Sequence, residues 1–142
     1  MIDLIPAGKI SAGALQAERT RMDIVANNLA NAQSVGKEGS VYQRKVAVFE
    51  SVYDEQMGVN NVNELAGVRL AEIANDTSRK PTQEYMPFHP EADENGMVMT
   101  PNISPMEEMV DMVTATRAYE ANLTILKESR KMADKTIDIM KA

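Results

Sequence analysis

Apolar residues recur at helical spacing near the start of the chain. Between about Lys9 and Gln33 there is no Pro, Gly13 is the only glycine, and Ala recurs throughout. Seven-, three- and four-residue intervals, broken once by Glu18, are typical of the a/d stripe of a coiled coil, and they join Leu15, Met22, Val25, Leu29 and Ala32. Gly36 follows as a stop signal. The pattern predicts an amphipathic N-terminal helix.

The last part of the chain carries the longest helical pattern. Ser104-Pro105-Met106-Glu107 matches a capping box with Pro at the first helical position. Acidic residues follow in the first turns and lysines gather late, as the helix dipole favours. A helix from Ser104 to the end would span roughly 55 Å. Three- and four-residue spacings connect Met109, Met112, Thr116, Tyr119, Leu123, Leu126, Arg130, Ala133, Ile137 and Met140.

Between the two helical patterns the chain changes to short alternating runs. Ser40 to Glu50 is rich in β-branched and aromatic residues and predicts a strand, and Gly67 to Ile73 alternates and predicts a second one. Asn95-Gly96 is a tight-turn dipeptide before the apolar run Met97 to Met99. Four prolines predict extended loop in the remainder: Pro81, Pro87, Pro90 and Pro101.

These elements predict a mainly α fold with a small β-rich insert. We assign an N-terminal axial helix to residues 1–34, a β-rich, extended outer insert to 35–103, and a C-terminal axial helix to 104–142. The terminal helices are expected to pack as a coiled-coil-like pair, with short strands and extended loops between them. The plain alternative is an intramolecular helical hairpin with the insert at its tip.

The helical seam points to partners beyond the chain itself. Ordering an isolated helix pair costs conformational entropy, and burial of a single apolar seam offsets that cost only marginally. A second stripe, Met106, Val110 and Val113, indicates a helix contacted from more than one side. The pattern therefore favours a pair completed by other subunits. The predicted assembly seam comprises Leu15, Met22, Val25, Leu29, Met109, Met112, Tyr119, Leu123, Leu126, Ile137 and Met140.

Three asparagines crowd the end of the N-terminal helix, namely Asn27, Asn28 and Asn31. Asn is a poor residue for a helix interior because its side chain competes for backbone hydrogen bonds. We interpret the three as polar helix contacts, to a neighbour or to the following loop. A fraying helix end is an equally good interpretation.

Composition and charge exclude several classes of protein. The net charge is −6 with basic residues dispersed, whereas a nucleic-acid binder carries a basic face. No run approaches the roughly 18 apolar residues of a membrane span, and the start of the chain lacks a secretory signal. These rules alone predict a cytosolic protein. With 11 Met, 2 Phe and no Trp, the chain suits long adaptable helix contacts better than a large core.

Candidate chemistry is sparse, and we predict no catalytic, cofactor or metal site and no enzyme. His89 is the only histidine and precedes a Pro, so a turn is the better interpretation than a metal ligand. The acidic run from Glu91 resembles a calcium loop until its twelfth position, which is Asn102 instead of Glu. Glu107 and Glu108 are interpreted as capping and dipole residues. The absence of cysteine excludes disulfides and thiolate sites.

The run from Met22 to Ala32 reads MDIVANNLANA. It resembles the N-terminal signature of the flagellar rod and hook family of bacterial axial proteins. The similarity covers nearly the whole chain in the family's order. Four further runs narrow the resemblance to a rod protein: Tyr42–Phe49 (YQRKVAVF), His89–Gly96 (HPEADENG), Pro101–Met112 (PNISPMEEMVDM) and Arg117–Asn122 (RAYEAN).

The resemblance implies a structural subunit of the proximal rod, part of the drive shaft around the export channel. It implies export from the cytoplasm by the flagellar type III apparatus, without signal cleavage, and assembly in the periplasm, which replaces the cytosolic prediction. The implied partners are further copies of the chain and the rod proteins FlgB, FlgF, FlgG and FliE, with no nucleic acid and no membrane span. The alternatives are another rod subunit, FlgB or a distal type, and a helical export adaptor or chaperone.

Overall fold

The computed structural model describes residues 6–36, 40–53 and 65–141. The elements run α1 (Pro6–Ala30), β1 (Lys45–Tyr53), β2 (Leu65–Asn75), β3 (Thr82–Tyr85), β4 (Met97–Thr100) and α2 (Pro105–Lys141). The predicted class, mainly helical with a small β insert, is therefore confirmed at that level. Both predicted helices form. The ends of the assigned 1–34 and 104–142 segments, together with parts of 35–103, lie outside the described residues, as does the Met140 side chain.

The two helices pack against each other and run antiparallel. Asn28 near the end of α1 donates to Glu108 near the start of α2, with 3.1 Å between Nδ2 and Oε2. One and a half turns earlier in α1, the Met22 sulfur lies 3.5 Å from the Thr116 hydroxyl, further along α2. Contacts that move backwards along one helix and forwards along the other define an antiparallel hairpin.

The side of α2 that packs on α1 has a regular heptad spacing, which we call the packing face. Its buried members are Glu108, Ala115 and Ser129, and half-buried residues fill the alternate positions. Four- and three-residue steps lead through Glu108, Met112, Ala115, Tyr119, Asn122, Leu126, Ser129 and Ala133. Every second position is polar or small, namely Glu108, Ala115, Asn122 and Ser129.

The β1–β2 hairpin lies along α1, instead of only beyond the end of the helix pair. The strands are antiparallel, with Lys45 opposite Asn75 and Val52 opposite Gly67. Gly67 adopts φ +141°, at a register shift that bends the hairpin. A Cβ on Gly13 of α1 would lie 3.1 Å from the Val68 carbonyl oxygen, so glycine permits the close approach of helix and strand.

A second hairpin closes the end of the molecule where α1 stops and α2 begins. β3 pairs with β4 antiparallel, and Gly36 and Met99 exchange backbone hydrogen bonds of 3.1 Å. The predicted Asn95-Gly96 turn is confirmed, with Gly96 at φ +74°. The loop predicted from the prolines is wrong over Thr82–Tyr85, which forms β3; Pro81 precedes that strand and so leaves its ladder intact.

The predicted first strand starts later than expected. Ser40 to Arg44 lies outside β1, which begins at Lys45 and continues to Tyr53. In this lead-in segment the side chains of Tyr42 and Arg44 make polar contacts to Asn28 of α1 and Glu108 of α2. The predicted second strand, Gly67 to Ile73, is confirmed within β2. Among the described helices, none is long and apolar enough to cross a membrane.

Candidate assembly interface

A buried polar cluster fixes the two helices and the insert to one another. Asn28 is 1 % exposed and Glu108 is completely buried. The Glu108 carboxylate accepts hydrogen bonds from Asn28 at 3.1 Å and from Nε of Arg44 at 2.7 Å. Asn28 also donates to the Lys45 carbonyl and accepts from the Lys45 N–H, at 2.8 and 2.9 Å. One amide therefore pairs with both backbone groups at the start of β1.

Arg44 extends this cluster to the end of the first hairpin. Its guanidinium lies 3.3 Å from Asp76 Oδ2 and 3.8 Å from Asp111 Oδ2. Burial alone lowers the pKa of Arg44, but the hydrogen bonds and charges of Glu108 and Asp76 outweigh it and raise that pKa above its ordinary value. The arginine is thus held charged among three carboxylates from two separate parts of the chain.

Asp76 is a turn residue as well as an ion-pair partner. Its Oδ1 accepts from the Ser78 hydroxyl at 2.5 Å and from the Ser78 backbone N–H at 2.9 Å. These two bonds, and then Arg44, lower the pKa of the Asp76 carboxyl below its ordinary value. The carboxylate form is therefore the one that fits the turn after β2.

Tyr42 covers the same cluster from the lead-in to β1. Its hydroxyl donates to Asn28 Oδ1 at 3.0 Å. Burial, and secondly the negative charge of Glu108, raise the pKa of Tyr42. The neutral phenol is the form that can donate this hydrogen bond, and the upward shift of the pKa favours that form.

The other two asparagines make contacts within their own helix. Asn27 donates to the Asp23 carbonyl and Asn31 donates to the Asn27 carbonyl, both at 2.8 Å. Their side chains are exposed and half-buried respectively. Of the three predicted polar contacts, Asn28 therefore lies in the buried cluster and contacts the segment that follows α1, whereas Asn27 and Asn31 lie outside that cluster.

The predicted assembly-seam residues fall into two groups in the single chain. Val25 is buried at 4 % exposure, and most of the others are half-buried: Leu15, Met22, Leu29, Met112, Tyr119, Leu123 and Leu126. Met109 and Ile137 are 45 % and 48 % exposed. The chain's own helix pair thus covers part of the seam and leaves another part accessible.

An accessible apolar stripe lies on the first turns of α2. Its members, which we call the outer stripe, are Met106, Met109, Val110 and Val113, all exposed at 45–68 %. They occupy neighbouring positions on successive turns and lie off the packing face. An apolar stripe beside a packed helix pair is typical of a surface that another protein covers.

Sequence reasoning missed the polar cluster because it treated Glu108 as a capping residue. Glu107 does face solvent and pairs with Arg79 at 2.6 Å, and its backbone N–H donates to the predicted cap, Ser104 Oγ, at 3.4 Å. Glu108, however, shares the four- and three-residue spacing of Met112 and Ala115. A carboxylate at that spacing signals a buried position that needs a basic partner.

The comparisons with known proteins agree along the whole chain. A family model described as "Flagella basal body rod protein" matches residues 9–36, and one described as "Flagellar basal body rod FlgEFG protein C-terminal" matches residues 94–139. These two segments contain α1 and α2 almost completely. The fold, the exposed helical stripe and these matches define a structural protein of the flagellar basal-body rod.

Curated relatives specify which rod protein it resembles. The flagellar basal-body rod protein FlgC of Aquifex aeolicus is 37 % identical over 99 % of this chain and 100 % of its own length. FlgC of Agrobacterium fabrum is 38 % identical over 100 % of this chain and 99 % of its own length. FlgC of Bacillus subtilis is 39 % identical over 93 % of this chain and 95 % of its own length. The chain belongs to the FlgC family of flagellar rod proteins.

Proposed function

We propose that the chain is a proximal-rod subunit whose paired helices surround the export channel while the insert forms the outer part of the rod. The outer stripe carries the proposal: it is apolar, it lies on a terminal helix, and the single chain leaves it accessible. An assembled rod of such subunits would act as a drive shaft that transmits torque. The role is structural, not catalytic.

The helix pair supports an assembly in which each subunit completes its neighbour. The packing face of α2 is filled by α1, and the outer stripe is left for a helix of another copy, in coiled-coil-like packing. A contact between two different surfaces is heterologous and, when it fails to close into a ring, generates a helical array. A rod has this open-ended form.

Export and partners follow from the proposed place in the basal body. The chain would leave the cytoplasm through the flagellar type III apparatus without signal cleavage and assemble in the periplasm. Neighbours would be other FlgC copies and FlgB, FlgF, FlgG and FliE. Terminal segments that gain part of their order on assembly can pass a narrow channel unfolded, and the lack of cysteine suits an oxidising space.

The test introduces a charge into the outer stripe. Val110→Glu should abolish open-ended association in light scattering and prevent incorporation into basal bodies, because a carboxylate in an apolar contact is left unpaired. Ala71→Glu is the matched control: it adds the same charge at an exposed position of β2, off the helix that carries the outer stripe. Equal assembly of both variants contradicts the proposal. A chain that stays monomeric or dimeric even as wild type favours the export-adaptor alternative.

Coupling of helix order to assembly is tested separately by circular dichroism. The dilute monomer should have less helix than the 25 and 37 residues of α1 and α2 require, and should gain helix as it associates. Full helix content in a dilute monomeric sample contradicts coupled folding without affecting the rod assignment.

A further inference from the structure

The β3–β4 hairpin ends in an exposed aromatic and acidic surface, which we call the acidic tip (residues 82–100). Phe88, one of only two phenylalanines in the chain, is 100 % exposed, and Tyr85 beside it is 70 % exposed. Residues 82–100 contain four acidic residues and no Lys or Arg. Large exposed apolar side chains with a polar rim mark an interaction site, and the rim here selects a basic partner.

The opposite end of α2 presents the complementary chemistry. Ile125, Met132 and Ile139 are 48 %, 62 % and 78 % exposed and repeat every seven residues, so they form one line along the helix. Lys135 is exposed and lies between the last two. Residues 125–141 contain five basic and three acidic residues, a net charge of +2 in a chain of net charge −6. We call this segment the basic end.

One molecule cannot bring these two surfaces together. The acidic tip adjoins the start of α2, where Arg79 pairs with Glu107. From Pro105 to Met132 a helix extends roughly 40 Å, whereas the four-residue strands of the tip extend only about 13 Å. The partner of each surface must therefore come from another molecule. An anionic lipid surface is repelled by the tip's charge, and this chain itself supplies a basic, apolar helix.

We infer that the acidic tip of one copy docks on the basic end of the next copy. Phe88 and Tyr85 would pack against Met132 and Ile139, with Glu94 near Lys135. The contact joins two different surfaces at opposite ends of the molecule, so it repeats head to tail without closing. The inference rests on the proposed rod assembly and adds a second contact, independent of the outer stripe, that sets the spacing along a row of subunits.

The lack of cysteine allows a direct test by disulfide trapping in the full-length chain. The double variant Phe88→Cys/Met132→Cys, oxidised after association, should yield a ladder of covalent oligomers, because a disulfide needs Cα atoms within about 7 Å and the two positions are too far apart in one molecule. Each single variant should yield dimers at most. Ile73→Cys/Met132→Cys is the matched control, since Ile73 is 51 % exposed on β2.

A charge exchange tests which residues face each other. Glu94→Lys in the double-cysteine background should lower the ladder yield about fivefold, as expected for reversing one exposed ion pair. Adding Lys135→Glu should restore the yield. Arg19→Glu, at an exposed position of α1, is added in place of Lys135→Glu as the control, because it makes the same change in net charge without restoring the ion pair. Circular dichroism of every variant verifies that the helices are retained.

The outcomes separate this inference from the proposed function. A ladder joined at positions 88 and 132, weakened by the first exchange and restored by the second, supports the docking. Open-ended association in light scattering with no such ladder overturns the docking and leaves the rod assembly in place; the tip then meets a different protein. No association at all overturns both.

Discussion

Glu108 is the residue on which the arrangement of the molecule depends most. Its carboxylate is completely buried and receives hydrogen bonds from α1 and from the lead-in to β1. Burial of a charge is costly unless its hydrogen bonds are complete, and removal of one partner leaves the others uncompensated. The cluster therefore fixes which turn of α2 faces which turn of α1, in the manner of a polar residue in a coiled-coil seam.

Glu108→Ala should lower the free energy of unfolding by about 3 kcal/mol, because Arg44 and Asn28 lose a buried acceptor. Urea denaturation followed by circular dichroism measures the loss. Glu107→Ala is the matched control: this neighbouring glutamate also pairs with an arginine, but its side chain is 56 % exposed, so its loss should be about 1 kcal/mol or less. Equal losses in the free energy of unfolding for the two variants would show that the buried cluster contributes no more to stability than an exposed ion pair.

The Asp76 turn makes stability depend on acid. Since the folded-state pKa of Asp76 lies below its unfolded value, the carboxylate adds stability above about pH 4, and this is lost as the pH falls through the folded pKa. In the Asp76→Asn variant, the urea midpoint of unfolding should fall less steeply as the pH is lowered through this range. Asp134→Asn removes one charge from an exposed site of α2 and controls for net charge. An unchanged acid slope in Asp76→Asn would contradict the prediction.

At the scale of elements, α1 is the central helix, which packs against both α2 and the β1–β2 hairpin. Its approach to both is close: Ala115 of α2 is completely buried, and Gly13 leaves room for the Val68 carbonyl. The core is accordingly made of small side chains and a few branched ones, with few large aromatic residues. Dispersion contacts between closely spaced elements therefore take the place of contacts between large side chains.

Ala115→Leu should destabilise the helix pair by about 1–3 kcal/mol, because extra methylene groups have no space between closely packed backbones. Thermal or urea unfolding measures the change. Ala121→Leu makes the same substitution at an exposed position of α2 and should be close to neutral. If Ala115→Leu left the free energy of unfolding unchanged, the prediction of close helix packing at this position would be contradicted.

The elements were largely predictable from periodicity, but their partners were not. The capping box at Ser104 and the Asn95-Gly96 turn act within a few residues of sequence, so both were found. β3 was missed because its four residues, all exposed, carry no apolar alternation. Glu108 and Arg44 lie 64 positions apart, and no local pattern records that they meet. Long-range polar pairs depend on the tertiary fold that brings them together.

At the scale of the whole molecule, α2 is much the longer helix, with 37 residues against 25 in α1, a difference of 12. Ser129 is the last buried position among the α2 side chains that the structure describes. From Arg130 to Ile139 every residue except Ala133 is exposed. The end of α2 therefore contributes little to the fold of the single chain and is free to contact a neighbour.

Deleting residues 131–142 should change the free energy of unfolding by about 1 kcal/mol or less, since frayed helix ends contribute little, while open-ended association is lost. Urea denaturation and light scattering on the same preparations compare the two effects. Deletion of the same segment with unimpaired association would exclude it from the rod contacts. A large loss of stability would instead assign it to the core.

The placement of the polar cluster at one end of the helix pair has a mechanical consequence. Arg44, Asn28 and Glu108 join the two helices where α1 ends, whereas from Arg130 to Ile139 α2 is exposed at every residue except Ala133. Stiffness is thus graded along the molecule. Under a twisting load the distal turns of α2 would yield first and act as a compliant joint, while the pinned end would turn as a solid body.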